Sequence, residues 1–228
     1  MKYTISEIKK TNLKDTFFGK FFYRKLATYF TYFLVKTNLT PNQVSFLSLI
    51  FALIGAAFLA TGTYSSMVLG VILVQIGMIL DYSDGQIARL RKKGTQRGAW
   101  LDVLFGMIQN NILILAIILA LTNNGFNDRA SWFLGFIVLF AWNMTCFVHL
   151  NAMIFFTKLE LKKTEIANKV RSGLKLQPQF FSIGSDVYFV FIGLGVIFSL
   201  LWESLVLLAV LGNLYWVTVF LFIFYTRK

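Results

Sequence analysis

The sequence predicts an all-α integral membrane protein, with six transmembrane helices preceded by an N-terminal interfacial amphipathic helix. Three observations carry this. Hydrophobic residues make up 57% of the 228-residue chain and charged residues only 14%, against roughly 25% charged in soluble domains. Six apolar runs each approach the ~20 residues that a helix needs to cross a bilayer. With six spans drawn, all 22 lysines and arginines except Arg129 fall on one side of the membrane, as the retention of basic residues in the cytoplasm requires.

In chain order, residues 1–42 form a basic unit and residues 43–228 the transmembrane domain. The stretch FFGKFFYRKLATYFTYFLVK interleaves aromatic with basic residues. That is the pattern of a helix lying in the interface, apolar face down and basic face to water. Lys20, Arg24 and Lys25 argue against a re-entrant span here. Thr40 then caps and Pro41 fits the first turn of the first span. The spans are expected over roughly 43–62, 65–86, 99–122, 130–157, 181–201 and 204–225. The fourth run is longer than one bilayer needs, so part of it protrudes or tilts. Both termini and the loops at 87–98 and 158–180 are then cytoplasmic.

The net charge of +12 does not point to nucleic acid, because the basic residues flank spans and have no soluble platform. Anionic lipid headgroups of the membrane, or an anionic substrate at its surface, are the better partners. The single cysteine, Cys146, allows no internal disulfide.

The stretch DYSDGQIARLRKKGTQRGAWLDVLFG, residues 81–106, places Asp81, Asp84 and Asp102 at the ends of two apolar runs. Asp81 and Asp84 lie about 60° apart on one helix face. Gly85 and Ala88 leave bare backbone beside them, where a helix or ligand can approach closely. Asp102 starts the next span and returns to the same membrane end. Three converging carboxylates repel one another unless a cation lies between them. Oxygen ligands without a Cys/His cluster suit Mg²⁺, Mn²⁺ or Ca²⁺ and not zinc, and Arg89 supplies positive charge for a phosphate. The alternative is a structural network in which the aspartates pair with Arg89, Arg91 and Arg97. A transporter is a third class. Against it, the acids gather at one cytoplasmic end and no internal repeat is visible.

The spacing Asp81, Asp84–Gly85, Ala88–Arg89, Gly98, Asp102 resembles the signature of the CDP-alcohol phosphotransferase family, also called the CDP-alcohol phosphatidyltransferases. Thr40–Pro41–Asn42 resembles the family's TPN segment, and GAWLD at 98–102 fits it too. The resemblance implies a membrane enzyme that takes a CDP-alcohol donor, often CDP-diacylglycerol, and an acceptor alcohol, and releases CMP. It implies Asp81, Asp84 and Asp102 as ligands of Mg²⁺ or Mn²⁺. It implies Gly85, Ala88 and Gly98 as backbone against which the nucleotide packs, with Arg89 and Asn42 holding the CDP. It also implies a homodimer.

One position departs from the signature. Where the family has a fourth aspartate, serving as general base and metal ligand, this chain has Gly106, and glycine does neither. Gln109, about 20° from Asp102 on the helix, offers an amide but no base. Asp102 itself, Asp186 near the start of the fifth span, and His149, the only histidine, are the candidate catalytic residues. A lone histidine on an apolar helix is more often a packed, hydrogen-bonded residue.

Overall fold

The computed structural model describes residues 3–12, 16–160 and 184–226. The basic residues Lys162 to Lys175, and Arg171 as a partner for Asp186, lie outside the described residues. Every described element is helical. They are α1 (Ile5–Lys10), a π-helical turn (Gly19–Tyr23), α2 (Arg24–Leu34), α3 (Pro41–Ala60), α4 (Tyr64–Leu90), α5 (Gln96–Asn123), α6 (Asp128–Glu160), α7 (Ser185–Ile197) and α8 (Leu201–Thr226).

Five of these, α3, α4, α5, α6 and α8, are long and apolar enough to cross a membrane. The fifth predicted span corresponds to α7, which has 13 residues. At 1.5 Å per residue it rises about 20 Å, short of the ~30 Å hydrocarbon core. The expected count of six is therefore met by five long helices and one shorter apolar one among the described residues. The early end of α7 has a local cause. The Leu200 amide donates to the Gly195 carbonyl at 2.7 Å, and the chain turns through Ser199 at φ +58°. Gly195 also lies so close to α8 that a Cβ there would meet the Ser204 side chain. The 33 residues of α6 rise about 50 Å, so this helix overruns a bilayer as expected.

The start of α3 follows its sequence signal. Thr40 and Gln43 form a reciprocal capping box with Pro41 in the first turn. The closest packing in the bundle is between α3 and α4, where glycines face each other. A Cβ on Gly55 would lie 2.7 Å from the Gly70 carbonyl oxygen, and one on Gly77 would lie 3.0 Å from that of Ser48. Small residues at such a crossing let two backbones touch, which is how helices gain contact energy in lipid.

The N-terminal unit consists of α1 and an unbroken helical run over residues 17–34, in which the π turn leads directly into α2. The inward side of α2 carries the buried Ala27, Thr28 and Thr31, and Tyr29, Phe30 and Phe33 are exposed. A polar relay fastens the unit to the bundle. The Tyr23 hydroxyl donates to Gln75 Oε1 at 2.6 Å, and Gln75 Nε2 donates to the Phe189 carbonyl on α7 at 3.0 Å. Burial pushes the Tyr23 phenol well above its usual range, so it remains a neutral donor.

Candidate active site

One face of α4 builds the site. Gly70, Gly77, Asp84 and Arg91 recur every seven residues, which keeps them on nearly one side of a helix. The first two make the glycine crossing with α3. One step further along, the same face carries Asp84 against α3, where it accepts a hydrogen bond from Ser45 Oγ. A further step places Arg91 under the α2–α3 linker, donating to the carbonyls of Leu39, Thr37 and Val35. Arg91 is thus occupied by backbone, and the expected alternative in which it pairs with the aspartates is not what the geometry shows.

Asp84 is buried, Asp81 half-buried and Asp102, arriving from α5, exposed. One carboxylate oxygen from each lies within 4.8 Å of the other two. Three negative charges at that separation are mutually destabilising without a counter-charge. The donor set is all hard oxygen, and one member opens to solvent. That fits a divalent cation of the magnesium or manganese type with a coordination position left for a ligand.

The other signature residues form two groups on the helices that carry the cluster. Gly98 sits beside Asn42, and a Cβ at 98 would lie 3.0 Å from Asn42 Oδ1 and 3.1 Å from Thr95 Oγ1. Thr95 caps α5 by accepting from the Gly98 amide at 3.0 Å. On α4, the Arg89 guanidinium lies over Gly85, with its nitrogens 3.1 and 3.2 Å from where a Cβ would be. Its Nε donates to the Thr11 carbonyl at 2.8 Å. Ala88 is half-buried on the same helix.

The other candidates are committed elsewhere. His149 bonds through Nδ1 to the Thr145 carbonyl at 2.9 Å and stacks on Tyr215 of α8, the bonding of a packed histidine. Asp186 is 1% exposed and accepts from Thr16 Oγ1 and, at 3.1 Å, from the Gly19 amide. Neither belongs to the carboxylate cluster found among the described residues. Gln109 is buried and donates to Ser48 Oγ at 3.0 Å, so it serves the α3–α5 contact. At Gly106 a Cβ would meet nothing within 4 Å.

Sequence reasoning missed the residues that brace this end of α4. Ser45 is one. Gln86 is another, fully buried, donating to Asn12 Oδ1 at 2.7 Å and accepting from Thr31 Oγ1 at 2.6 Å. With Thr11 on Arg89, this lays the Thr11–Asn12 segment over α4 as a strap. The available signal was the amide of Gln86 inside a span, since such a group needs partners.

The profile of the CDP-alcohol phosphatidyltransferase family matches residues 38–223. Two curated proteins described as bifunctional IPC transferase and DIPP synthase are similar over a shorter stretch. That of Aquifex aeolicus is 38% identical over 96 residues, 41% of this chain and 21% of its own length. That of Rubrobacter xylanophilus is 38% identical over 86 residues, 38% of this chain and 19% of its own length. The matched stretch is thus about a fifth of each curated relative. Among solved structures, phosphatidylinositol phosphate synthase of Mycobacterium tuberculosis shares the fold. Its apo form superposes with a TM-score of 0.66 at 20% identity, covering 86% of this chain and 94% of that one. Its manganese and citrate complex gives 0.64 at 21%, covering 84% and 86%. Its complex with CDP-DAG gives 0.64 at 20%, covering 85% and 91%.

Proposed function

This chain belongs to the CDP-alcohol phosphatidyltransferase family, and on that premise we propose that it transfers a phosphatidyl group from CDP-diacylglycerol to an acceptor alcohol, releasing CMP, in the synthesis of phospholipids or related phosphodiesters. The observation that carries this reading is the set of three carboxylates within 4.8 Å, on the same two helices as Gly85 with Arg89 and as Gly98, which lies beside Asn42. The solved relative with CDP-DAG bound supports the donor class, and the one with manganese supports a divalent ion.

In this reading Asp81, Asp84 and Asp102 hold Mg²⁺ or Mn²⁺, which when bound offsets the negative charge of the pyrophosphate. Gly85, Ala88 and Gly98 give the nucleotide backbone to lie against, and Asn42 and Arg89 bind its phosphates and base. Ser45 orients Asp84. Asp102, the exposed member, faces the acceptor and takes its hydroxyl proton. The acceptor oxygen bonds to the phosphorus nearer the diacylglycerol, the bond from that phosphorus to CMP breaks, and CMP leaves. Positioning and charge supply most of such a reaction. The site and both termini face the cytoplasm, where the basic residues gather, and two copies work as a homodimer.

A second reading rests on Gly106. The position is open and carries no base, and loss of a general base costs typically 10²–10⁴-fold in rate. In that reading the chain binds CDP-lipid and metal as a partner subunit and does not turn them over. The deciding experiment measures CMP release from CDP-diacylglycerol by purified protein with Mn²⁺ and a panel of acceptor alcohols, with Gly106→Asp run in parallel. Acceptor-dependent release by the parent establishes the transferase. Release by Gly106→Asp alone establishes the binder. Binding of CDP-diacylglycerol by neither protein overturns both readings.

A further inference from the structure

A cavity of about 610 Å³ opens where the start of the chain, the end of α2, the linker to α3 and the end of α4 meet. It lies apart from the aspartate cluster. Arg91 is two helical turns beyond Asp84, about 10 Å along the axis. Its walls carry Lys36, Arg91 and Lys93 together with Tyr3 and Tyr32, and among the described residues no carboxylate lines it.

The fold fixes the side chains of two of these cations and the backbone of the third. Arg91 is pinned by the three carbonyls at 35, 37 and 39, which use part of a planar fork of five N–H donors. The Lys36 ammonium rests 4.0 Å from the centre of the Tyr32 ring, a cation–π contact that holds it at the wall. Lys93 follows Lys92, which turns the chain at φ +52°, and the Lys93 amide donates to the Ala88 carbonyl at 3.0 Å. Three positive groups around one cavity, with no counter-charge in its lining among the described residues, repel each other until an anion enters. The volume exceeds a simple ion and suits a phosphate with an organic substituent. Next to the cavity, α2 exposes Tyr29, Phe30 and Phe33, an aromatic strip of the kind that sits at headgroup level.

We propose that this cavity binds a phosphate ester, the chemistry shared by the headgroup of an anionic phospholipid and a soluble polyol phosphate. The test compares the parent with Lys36→Gln/Lys93→Gln. Arg91 is left in place because it holds the linker. Lys9→Gln/Lys10→Gln, exposed on α1, makes the same charge change elsewhere. Binding of phosphatidylglycerol and of glycerol 3-phosphate is titrated separately in neutral detergent, with phosphatidylcholine as reference lipid. An unliganded melting midpoint shared by all three proteins establishes that they are folded. Should the pocket pair unfold, Lys93→Gln alone replaces it.

The pocket pair is expected to bind one probe about tenfold more weakly, the scale of one lost charge-assisted contact, with the α1 pair like the parent. Weakening confined to phosphatidylglycerol identifies a lipid headgroup, and weakening confined to glycerol 3-phosphate identifies a soluble ester. Equal weakening in both lysine pairs, or none in the pocket pair, overturns the proposal. None of these readouts requires turnover, so failure here is distinct from failure of the transferase reading.

Discussion

Gly55 and Gly70 touch backbone to backbone. A Cβ on either would lie within 2.7 Å of the other's carbonyl oxygen. This crossing sets the distance between α3 and α4, and two heptads further along α4 the same face delivers Asp84 to Ser45. Gly70→Ala is expected to cost ~1–3 kcal/mol through overpacking that backbone cannot relieve. Gly94→Ala, with nothing within 4 Å of its Cβ, is expected to be nearly neutral. Thermal unfolding in detergent distinguishes them, and equal midpoints would show that the crossing is looser than described.

The carboxylate cluster predicts how the protein responds to metal. Addition of Mn²⁺ or Mg²⁺ should raise the melting midpoint of the parent, because an ion bound only by the folded state stabilises it. Asp81→Asn and Asp102→Asn should each abolish that rise while leaving the apo protein folded, since each removes one of three mutually repelling charges. A metal-dependent rise that survives both substitutions would rule out the assigned ligands.

Gly98 and Gly106 should respond differently to the same change. At Gly98 a methyl group meets Asn42 and Thr95 at 3.0–3.1 Å, so Gly98→Ala should displace Asn42 and weaken protection of the protein by CDP. At Gly106 the methyl group meets open space. Gly106→Ala should then leave CDP protection intact and stabilise α5 by about 0.5–1 kcal/mol, the usual helical preference for alanine. Loss of CDP protection in Gly106→Ala but not in Gly98→Ala would reverse the placement of the nucleotide.

Asp186→Asn should loosen the N-terminal unit. The buried carboxylate accepts from Thr16 and Gly19, and hydrogen bonds to a charged group contribute ~1.5–3 kcal/mol each. Limited proteolysis around residues 11–20 should speed up in the variant, with the helical content of the bundle unchanged. Were Asp186 the catalytic base instead, the variant would lose CMP release with its protease resistance intact.

The parts of this site that depend on local pattern were legible in the sequence. The spacing of Asp81, Asp84 and Asp102 placed them at one membrane end, and Thr40–Pro41 marked the start of α3. What depended on distant partners was not. The second span was expected to stop near residue 86, but α4 continues to Leu90. Its polar last turns are sustained by Asn12, Thr31 and the linker carbonyls, which no periodicity reveals. Asp186 read as a catalytic candidate, and not as a clamp on the N-terminal segment, because its donors Gly19 and Thr16 lie 167 and 170 residues away. The early end of α7 follows from the turn through Ser199 that the Leu200–Gly195 hydrogen bond closes, which a hydropathy window averages away.

The Asp186 clamp also orders the assembly of the chain in time. Thr16 and Gly19 are synthesised early, yet the carboxylate that fastens them is added 170 residues later, after α3, α4, α5 and α6 have been made. During that interval Thr16 and Gly19 lack this acceptor, while Thr11, Asn12, Tyr23 and Thr31 already have partners on α4. The aromatic and basic side chains of the first segment must be sheltered by the membrane surface while the ribosome completes the spans. The strap over α4 thus closes before the Asp186 contact, and a chain halted before residue 186 would keep its strap but leave the Thr16–Gly19 turn unfastened.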